Sequence, residues 1–230
     1  MPGPFISPAL AALAAFACLA SALAAGTAIP SVPTDQAVVA LTFDDGPHSP
    51  NTTRLLELFE REKVRVTFFE IADNITLHPA LARAIVAAGH EIGNHTKTHA
   101  NLSELKDPEA VRAELVEAQV IIREVTGVTP VVFRAPFLAH SPALWAVLEE
   151  LQMPSITSDA STSDWDGTVT KEMIIERASR AGPGSIVLLH TWPDKTIEAM
   201  PEIIARLRAK GLRFVTVSEL LALAPQPPKP

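Results

Sequence analysis

Two adjacent carboxylates and a pair of histidines are the residues of this chain whose types and spacing favour chemistry. Asp44 and Asp45 end an apolar run, and a Gly-Pro pair follows them directly. Such a run predicts a buried β-strand that delivers both acids to an open edge. His95 and His99 stand four positions apart, which would place both imidazoles on one side if the segment forms a helical turn.

These four side chains could form a metal site with a free base beside it. One carboxylate and two histidines can hold a divalent metal and leave positions for water and substrate. The remaining carboxylate is then free for proton transfer. Two neighbouring acids at a buried strand end repel each other unless a cation or a proton relieves the repulsion. The simpler alternative is that the acids only form a turn and the histidines lie at the surface.

Three further polar positions follow apolar runs in the same way. Arg134 ends one run, His190 ends another, and Asp164 precedes Trp165 in a polar loop. An arginine directed at the acids would keep a carboxylate ionised, and an Asp–His pair is typical of a tuned general acid. Taken singly, each is more simply a surface arginine, a loop acid or a core histidine. Their shared position indicates a site, because parallel α/β folds carry their chemistry where the strands end.

The elements that must position these residues alternate along the chain. Apolar runs predict strands at 37–43, 65–71, 90–94, 131–134, 155–158, 185–189 and 213–217. Helical patterns lie at 52–62, 79–88, 108–126, 142–151, 171–180, 197–210 and 218–223. About seven β-then-α units predict an α/β fold with a parallel sheet, either open or closed as a barrel.

Length and composition exclude some classes of protein. The 230 residues and 47% hydrophobic content suit one α/β domain. A formal net charge of -7 leaves no basic surface for nucleic acid. We therefore expect no nucleic-acid partner, and we expect a monomer.

The two ends of the chain differ from the middle. An uncharged apolar run over 5–25 closes with an A-x-A pattern, which predicts a signal peptide over 1–24. A linker over 25–36, a catalytic domain over 37–224 and a disordered Pro-rich tail over 225–230 follow. The first residues lack the usual positive charge, so an uncleaved membrane anchor and a lipid-modified Cys18 are the alternatives. Cleavage predicts a secreted, periplasmic or cell-wall protein with no cysteine and no stable membrane association.

Taken together, these segments resemble the polysaccharide deacetylase family, the carbohydrate esterases with a NodB homology domain. The resemblance rests on an ordered set of segments: Thr42–Pro47, His95–His99, Arg134–Phe137, Asp164–Trp165 and Leu188–His190. Each segment alone is a weak signal, whereas the ordered set is specific. The family fold is a distorted (β/α) barrel, often with seven parallel strands, in agreement with the predicted elements.

The resemblance implies a metal site and a base. It makes Asp44 the general base and Arg134 the partner of that carboxylate. The ligands of the divalent metal would be Asp45, His95 and His99. The metal is usually Zn²⁺ in this family, with Co²⁺, Mn²⁺ or Ni²⁺ as alternatives.

The resemblance also implies an acid and an acetyl pocket. His190 would be the general acid, oriented by Asp164. Trp165 and Leu188 would line the pocket for the acetyl group, and the backbone N–H of Phe137 would help to hold the oxyanion. The family usually has tyrosine at the position of Phe137, and this chain contains no tyrosine, so a hydroxyl contact to sugar is lost.

The function implied is metal-dependent removal of N-acetyl groups from N-acetylhexosamine polymers or oligomers, such as peptidoglycan or chitin-like chains. The partner is then an acetylated glycan. An O-acetyl esterase acting on acetylated xylan or a similar glycan is the alternative within enzymes. A non-catalytic glycan-binding module is the alternative outside them, and its expected mark, loss of Asp44 or His190, is not found.

Overall fold

The structure, a computed structural model, describes residues 26–225. The predicted signal peptide, Cys18 and all but the first residue of the predicted tail lie outside the described residues. Within 26–225, no helix is both long enough and apolar enough to cross a membrane.

Six parallel strands form the sheet of the described chain. They are β1 (Val38–Gly46), β2 (Thr67–Glu70), β3 (Glu91–Asn94), β4 (Ala160–Ser161), β5 (Ile186–His190) and β6 (Arg213–Phe214). Their order is β3-β2-β1-β5-β4, and β6 pairs with the start of β1. The predicted parallel α/β class is therefore confirmed.

Helices separate most of the strands. They are α1 (Asn51–Glu62), α2 (Ala72–Leu77), α3 (Pro79–Ala87), α4 (Pro108–Thr126), α5 (Pro142–Glu150), α6 (Lys171–Ala178), α7 (Asp194–Ala209) and α8 (Val217–Leu221). A short 3₁₀ turn covers Pro136–Leu138. Each predicted helix is present with small shifts at its ends, and α2 is an addition that the sequence pattern did not indicate.

Single-residue bridges continue the sheet beyond β3. Phe133 bridges Asn94 on one side and Ser155 on the other. The chain then runs from Ser155 into β4, which pairs with β5. Because β5 also pairs with the central strand β1, these contacts lead from β3 around to β1, as in a distorted barrel.

Two predicted strands, 131–134 and 155–158, are reduced to these bridges. Prolines at 130, 136 and 154 flank them, and proline cannot donate to a ladder of hydrogen bonds. The short strand β4 was not predicted, because its sequence is polar and lacks an apolar run.

The segment predicted as a linker contributes to the core. Ile29 and Val32 are buried. Ile29 N–H donates to the Ser155 carbonyl at 2.8 Å, and Val32 N–H donates to the Gly184 carbonyl at 2.9 Å. Composition suggested a linker because prolines and small residues dominate, but these apolar side chains cover one end of the sheet. The domain boundary at residue 37 stays a prediction.

The two faces of β1 have different neighbours, because successive side chains of a strand point in opposite directions. Leu41 and Phe43 belong to the apolar core on the helix side, where the ring centroids of Phe43 and Phe68 lie 5.5 Å apart. Thr42 and Asp44 face the interior, where the buried Arg134 contacts both. The sheet thus has an apolar outer face and a polar inner site.

Candidate metal and catalytic site

A cavity of about 600 Å³ opens where the strands end. Every predicted site residue except Arg134 and Asp164 lines it. Those two are fully buried, and each contacts a residue of the cavity wall from behind. The structure therefore brings all ten predicted residues together around one space.

A bulge in β1 turns both acids toward this cavity. In the pairing with β2, Asp44 lies opposite Phe69 and Gly46 lies opposite Glu70, so Asp45 is an extra residue in the ladder. Asp45 has a φ of 69°, in the left-handed region that a non-glycine residue rarely adopts. Adjacent residues of a regular strand would face opposite sides, and the bulge removes that alternation.

The three predicted metal ligands converge. Asp45 Oδ1 lies 3.3 Å from His95 Nε2 and 3.1 Å from His99 Nε2. Among the described residues these three form the one group of at least three acidic, histidine or cysteine side chains close enough to share an ion. One carboxylate and two imidazoles match the ligands of a divalent transition metal.

The protonation of His95 supports a metal at this point. Its Nδ1 lies 2.8 Å from the Arg134 carbonyl, which can only accept, so Nδ1 carries a proton and Nε2 is the ring nitrogen that faces Asp45. Asp45 Oδ1 is buried and has no hydrogen-bond partner in the described part of the chain. Burial raises the pKa of Asp45, but the imidazoles of His95 and His99 lower it more, to well below its usual range. A cation would satisfy the lone pairs that meet here.

The loop that carries the two histidines is not helical, contrary to the helical turn considered from their spacing. Thr96 and His99 have φ values of 69° and 65°. His99 N–H donates to Thr96 Oγ1 at 3.0 Å, and this side-chain contact bends the loop so that both rings face Asp45. The ring centroids of His95 and His99 lie 5.0 Å apart.

Glu114 of α4 anchors the same loop from outside. Its Oε2 accepts from Lys97 N–H at 3.1 Å and from Thr98 N–H at 2.9 Å. Its Oε1 accepts from Thr98 Oγ1 at 2.8 Å. Three hydrogen bonds to one carboxylate hold the backbone that precedes His99.

Asp44 is held by a buried arginine. Arg134 Nη1 donates to Asp44 Oδ1 at 2.6 Å and to Thr42 Oγ1 at 2.8 Å. Nε and Nη2 of Arg134 donate to the carbonyls of Ile156 and Thr157 at 3.2 and 3.0 Å. Burial lowers the pKa of Arg134 from its usual value despite the raising effect of Asp44, yet a guanidinium stays protonated in proteins.

His190 and Asp164 form the second charged pair. His190 Nδ1 lies 2.7 Å from Asp164 Oδ1, so it donates there and Nε2 is directed to the cavity. Asp164 Oδ2 accepts from His190 N–H at 2.8 Å and from Thr196 Oγ1 at 2.6 Å. Burial lowers the pKa of His190, but Asp164 and the charges of Asp44 and Asp45 raise it above its usual value.

An apolar wall completes the cavity. Leu188 is buried, whereas Trp165 and Phe137 are 56% and 67% exposed. Phe137 has a φ of 57°, and its ring centroid lies 4.8 Å from that of His99. The unusual backbone of Phe137 brings the ring beside a predicted metal ligand, His99.

Two further residues at the site were not predicted from the sequence. Trp192 lines the cavity, and its Nε1 donates to Asp45 Oδ2 at 3.2 Å. Glu70 is fully buried at the end of β2, and burial followed by the charges of Asp45 and Asp44 raises its pKa well above the usual value. A Cβ on Gly46 would meet Glu70 Oε1 at 2.7 Å. Glu70 ends β2 and Trp192 follows β5. A position at the end of a strand is the same signal by which the sequence indicated the other site residues.

Comparison with known proteins finds the family that the sequence motifs resemble. Residues 31–156 match the family described as polysaccharide deacetylase. A peptidoglycan-N-acetylglucosamine deacetylase of Bacillus cereus is 31% identical over 196 residues, which cover 83% of this chain and 70% of the relative. One from Listeria monocytogenes is 32% identical over 186 residues, 79% of this chain but 38% of that protein.

A solved structure agrees with the fold. The crystal structure of a peptidoglycan N-acetylglucosamine deacetylase in complex with a naphthalenyl N-oxidanyl-benzamide superposes with a TM-score of 0.80 at 28% identity. The superposition covers 86% of this chain and 94% of that chain. The two chains therefore share their fold over most of their length.

Proposed function

The chain belongs to the polysaccharide deacetylase family, and on that premise we propose that it removes N-acetyl groups from peptidoglycan-type N-acetylhexosamine polymers. The observation that carries the proposal is the convergence of Asp45, His95 and His99 in a cavity flanked by Asp44 and His190. The two relatives compared above are named for the same reaction on peptidoglycan.

The metal would be held by Asp45, His95 and His99, and we propose zinc because two imidazoles and one carboxylate form a common open zinc site. When bound, such a metal polarises the acetyl carbonyl and lowers the pKa of water. The orphaned Asp45 Oδ1 supports this assignment.

Asp44 is proposed as the general base. It lines the cavity beside Asp45, and the hydrogen bond that its Oδ1 accepts from Arg134 Nη1 fixes its orientation. The carboxylate would take a proton from the attacking water as the bond to the acetyl carbon forms. General base catalysis of this kind is typically worth about 10²–10⁴-fold in rate.

His190 is proposed as the general acid. Because Nδ1 donates to Asp164, Nε2 is the nitrogen that can deliver a proton to the leaving group. Breaking the C–N bond of an amide needs this proton, whereas an ester can release an alkoxide more readily. The raised pKa of His190 favours its protonated form, which supports an N-acetyl substrate over an O-acetyl one.

The wall residues would hold the acetyl group. Leu188 and Trp165 offer apolar surface to the methyl group, and the backbone N–H of Phe137 would donate to the oxygen that becomes negative. A donor of this kind is typically worth about 2.7–4 kcal/mol in other hydrolases.

The remaining properties follow from the substrate. Peptidoglycan lies outside the cytoplasmic membrane, so we propose that the chain is exported to the periplasm, the cell wall or the medium. We propose that it acts as a monomer, because all proposed catalytic and ligand residues come from one chain.

Acetate release tests the proposal. The purified, zinc-loaded protein is incubated with peptidoglycan, with N-acetylglucosamine oligomers and with acetylated xylan, beside an Asp44→Asn control. We expect acetate from the first two glycans and almost none from the control. Faster release from xylan would favour the O-acetyl esterase, and tight glycan binding without release would favour a binding module.

A further inference from the structure

Trp192 contacts the carboxylate of a proposed metal ligand at one oxygen, and the histidines lie near the other oxygen. It follows β5 by two residues, and its indole Nε1 donates to Asp45 Oδ2 at 3.2 Å. The other oxygen, Oδ1, is the one that lies 3.1 Å from His99 Nε2 and 3.3 Å from His95 Nε2. The two oxygens of Asp45 therefore face different neighbours.

The backbone around Trp192 is fixed independently of this contact. Thr191 donates to the Asp44 carbonyl through both its N–H and its Oγ1, each at 3.1 Å. Asn51 Nδ2 donates to the Trp192 carbonyl at 3.0 Å. The backbone that carries the indole is thus tied to the end of β1 and the start of α1 without any contribution from a metal.

A carboxylate can bind a metal through one oxygen or through both. Binding through both would occupy a position that water or substrate needs in an open site. Asp45 Oδ2 is also 4.0 Å from His190 Nε2, close enough to approach the proposed acid if it were released. A hydrogen bond to Oδ2 would disfavour both changes, because each would weaken or break it.

We propose that Trp192 is a positioning residue that holds Asp45 Oδ2, so that Asp45 presents Oδ1 alone to the metal. This inference rests on the proposed metal site and adds a determinant outside its ligands. Partners that orient ligating side chains typically change metal affinity by about 10–100-fold when they are removed.

The first test is metal affinity measured without substrate. The chain contains three tryptophans, and each is replaced singly by phenylalanine, which keeps a ring and removes the N–H donor. Trp192→Phe should bind zinc about 10–100-fold more weakly in competition with a chelator. Trp165→Phe, also at the cavity, and Trp145→Phe, stacked on His140, should bind zinc like the parent.

These outcomes separate the inference from the proposed function. Equal zinc affinity of the parent and Trp192→Phe would overturn the inference and leave the metal site intact. A parent that binds no zinc would overturn both. Weakened zinc binding by Trp192→Phe supports the inference whether or not any glycan is deacetylated.

A second measurement does not require Trp192→Phe to fold. The indole N–H signals of the labelled parent are assigned by NMR from Trp145→Phe and Trp165→Phe, and the remaining signal belongs to Trp192. Titration with zinc should shift that signal more than the signal of Trp145, because its acceptor becomes a metal ligand. A Trp192 signal that moves no more than that of Trp145 would overturn the inference.

Discussion

Arg134 Nη1 lies 2.6 Å from Asp44 Oδ1, and both side chains are buried inside the ring of strands. The two residues are 90 positions apart in the chain. The same guanidinium also donates to the carbonyls of Ile156 and Thr157. One side chain thus connects the proposed base with the segment that follows the Phe133–Ser155 bridge.

This ion pair predicts a stability defect. Arg134→Ala leaves the Asp44 carboxylate buried without a partner and should lower the free energy of unfolding by about 3–5 kcal/mol. Urea unfolding measures the change. Arg180→Ala is the control, since Arg180 pairs with Glu176 on the surface, and it should change stability little. Equal effects of both variants would contradict a structural role for the buried pair.

Asp44→Asn should remove the proposed base and keep the metal. The amide is nearly the same size and can still accept one bond from Arg134, but it cannot take a proton from water. We expect kcat to fall by about 10²–10⁴-fold, with zinc content near that of the parent. Turnover close to the parental value in a pure, metal-loaded sample would refute the assignment of Asp44.

His95→Ala should abolish stoichiometric metal binding. Its Nε2 is one of three convergent atoms proposed as metal ligands, and two ligands hold zinc weakly. Metal content after dialysis, measured by atomic absorption, gives the result. His78→Ala is the matched control, because His78 lies between α2 and α3 away from the cavity. Full zinc occupancy in His95→Ala would refute the ligand set.

The pH dependence of turnover should report His190. Its pKa is raised in the folded protein, and a general acid must be protonated, so activity should fall as pH rises through that pKa. Asp164→Asn removes a hydrogen bond and a charge that raise this pKa. The alkaline limb of the kcat profile should therefore move to lower pH. If the alkaline limb of Asp164→Asn stays at the pH of the parent, a group other than His190 controls the loss of activity.

Gly93→Ala should destabilise the floor of the site. A Cβ at this position would lie 2.5 Å from the ring of Phe69, and that ring packs 4.2 Å from the Arg134 guanidinium. Overpacking of this kind costs about 1–3 kcal/mol in the free energy of unfolding. Gly182→Ala has no atom within 4 Å of its new Cβ and should be nearly neutral. A neutral Gly93→Ala would show that Phe69 can move freely.

Local signals in the sequence predicted most helices well. The helix α4 begins and ends where predicted, because Asp107 caps it through the Glu109 N–H, Pro108 follows, and Gly127 ends it with a φ of 78°. These determinants are neighbours in the chain, so they act before the sheet exists. The paired strands were less predictable, since β4 has no apolar pattern and two predicted strands pair only through single residues.

The sequence by itself determined which side chains are available for chemistry and that they follow strands, because residue type and hydrophobic period are local properties. Only the tertiary structure decided how they meet. The bulge at Asp45, the left-handed backbone of Thr96 and His99, and the approach of Trp192 to Asp45 across 147 positions depend on contacts between distant segments. No local pattern specifies such contacts, because their geometry exists only once the strands have paired and closed around Arg134.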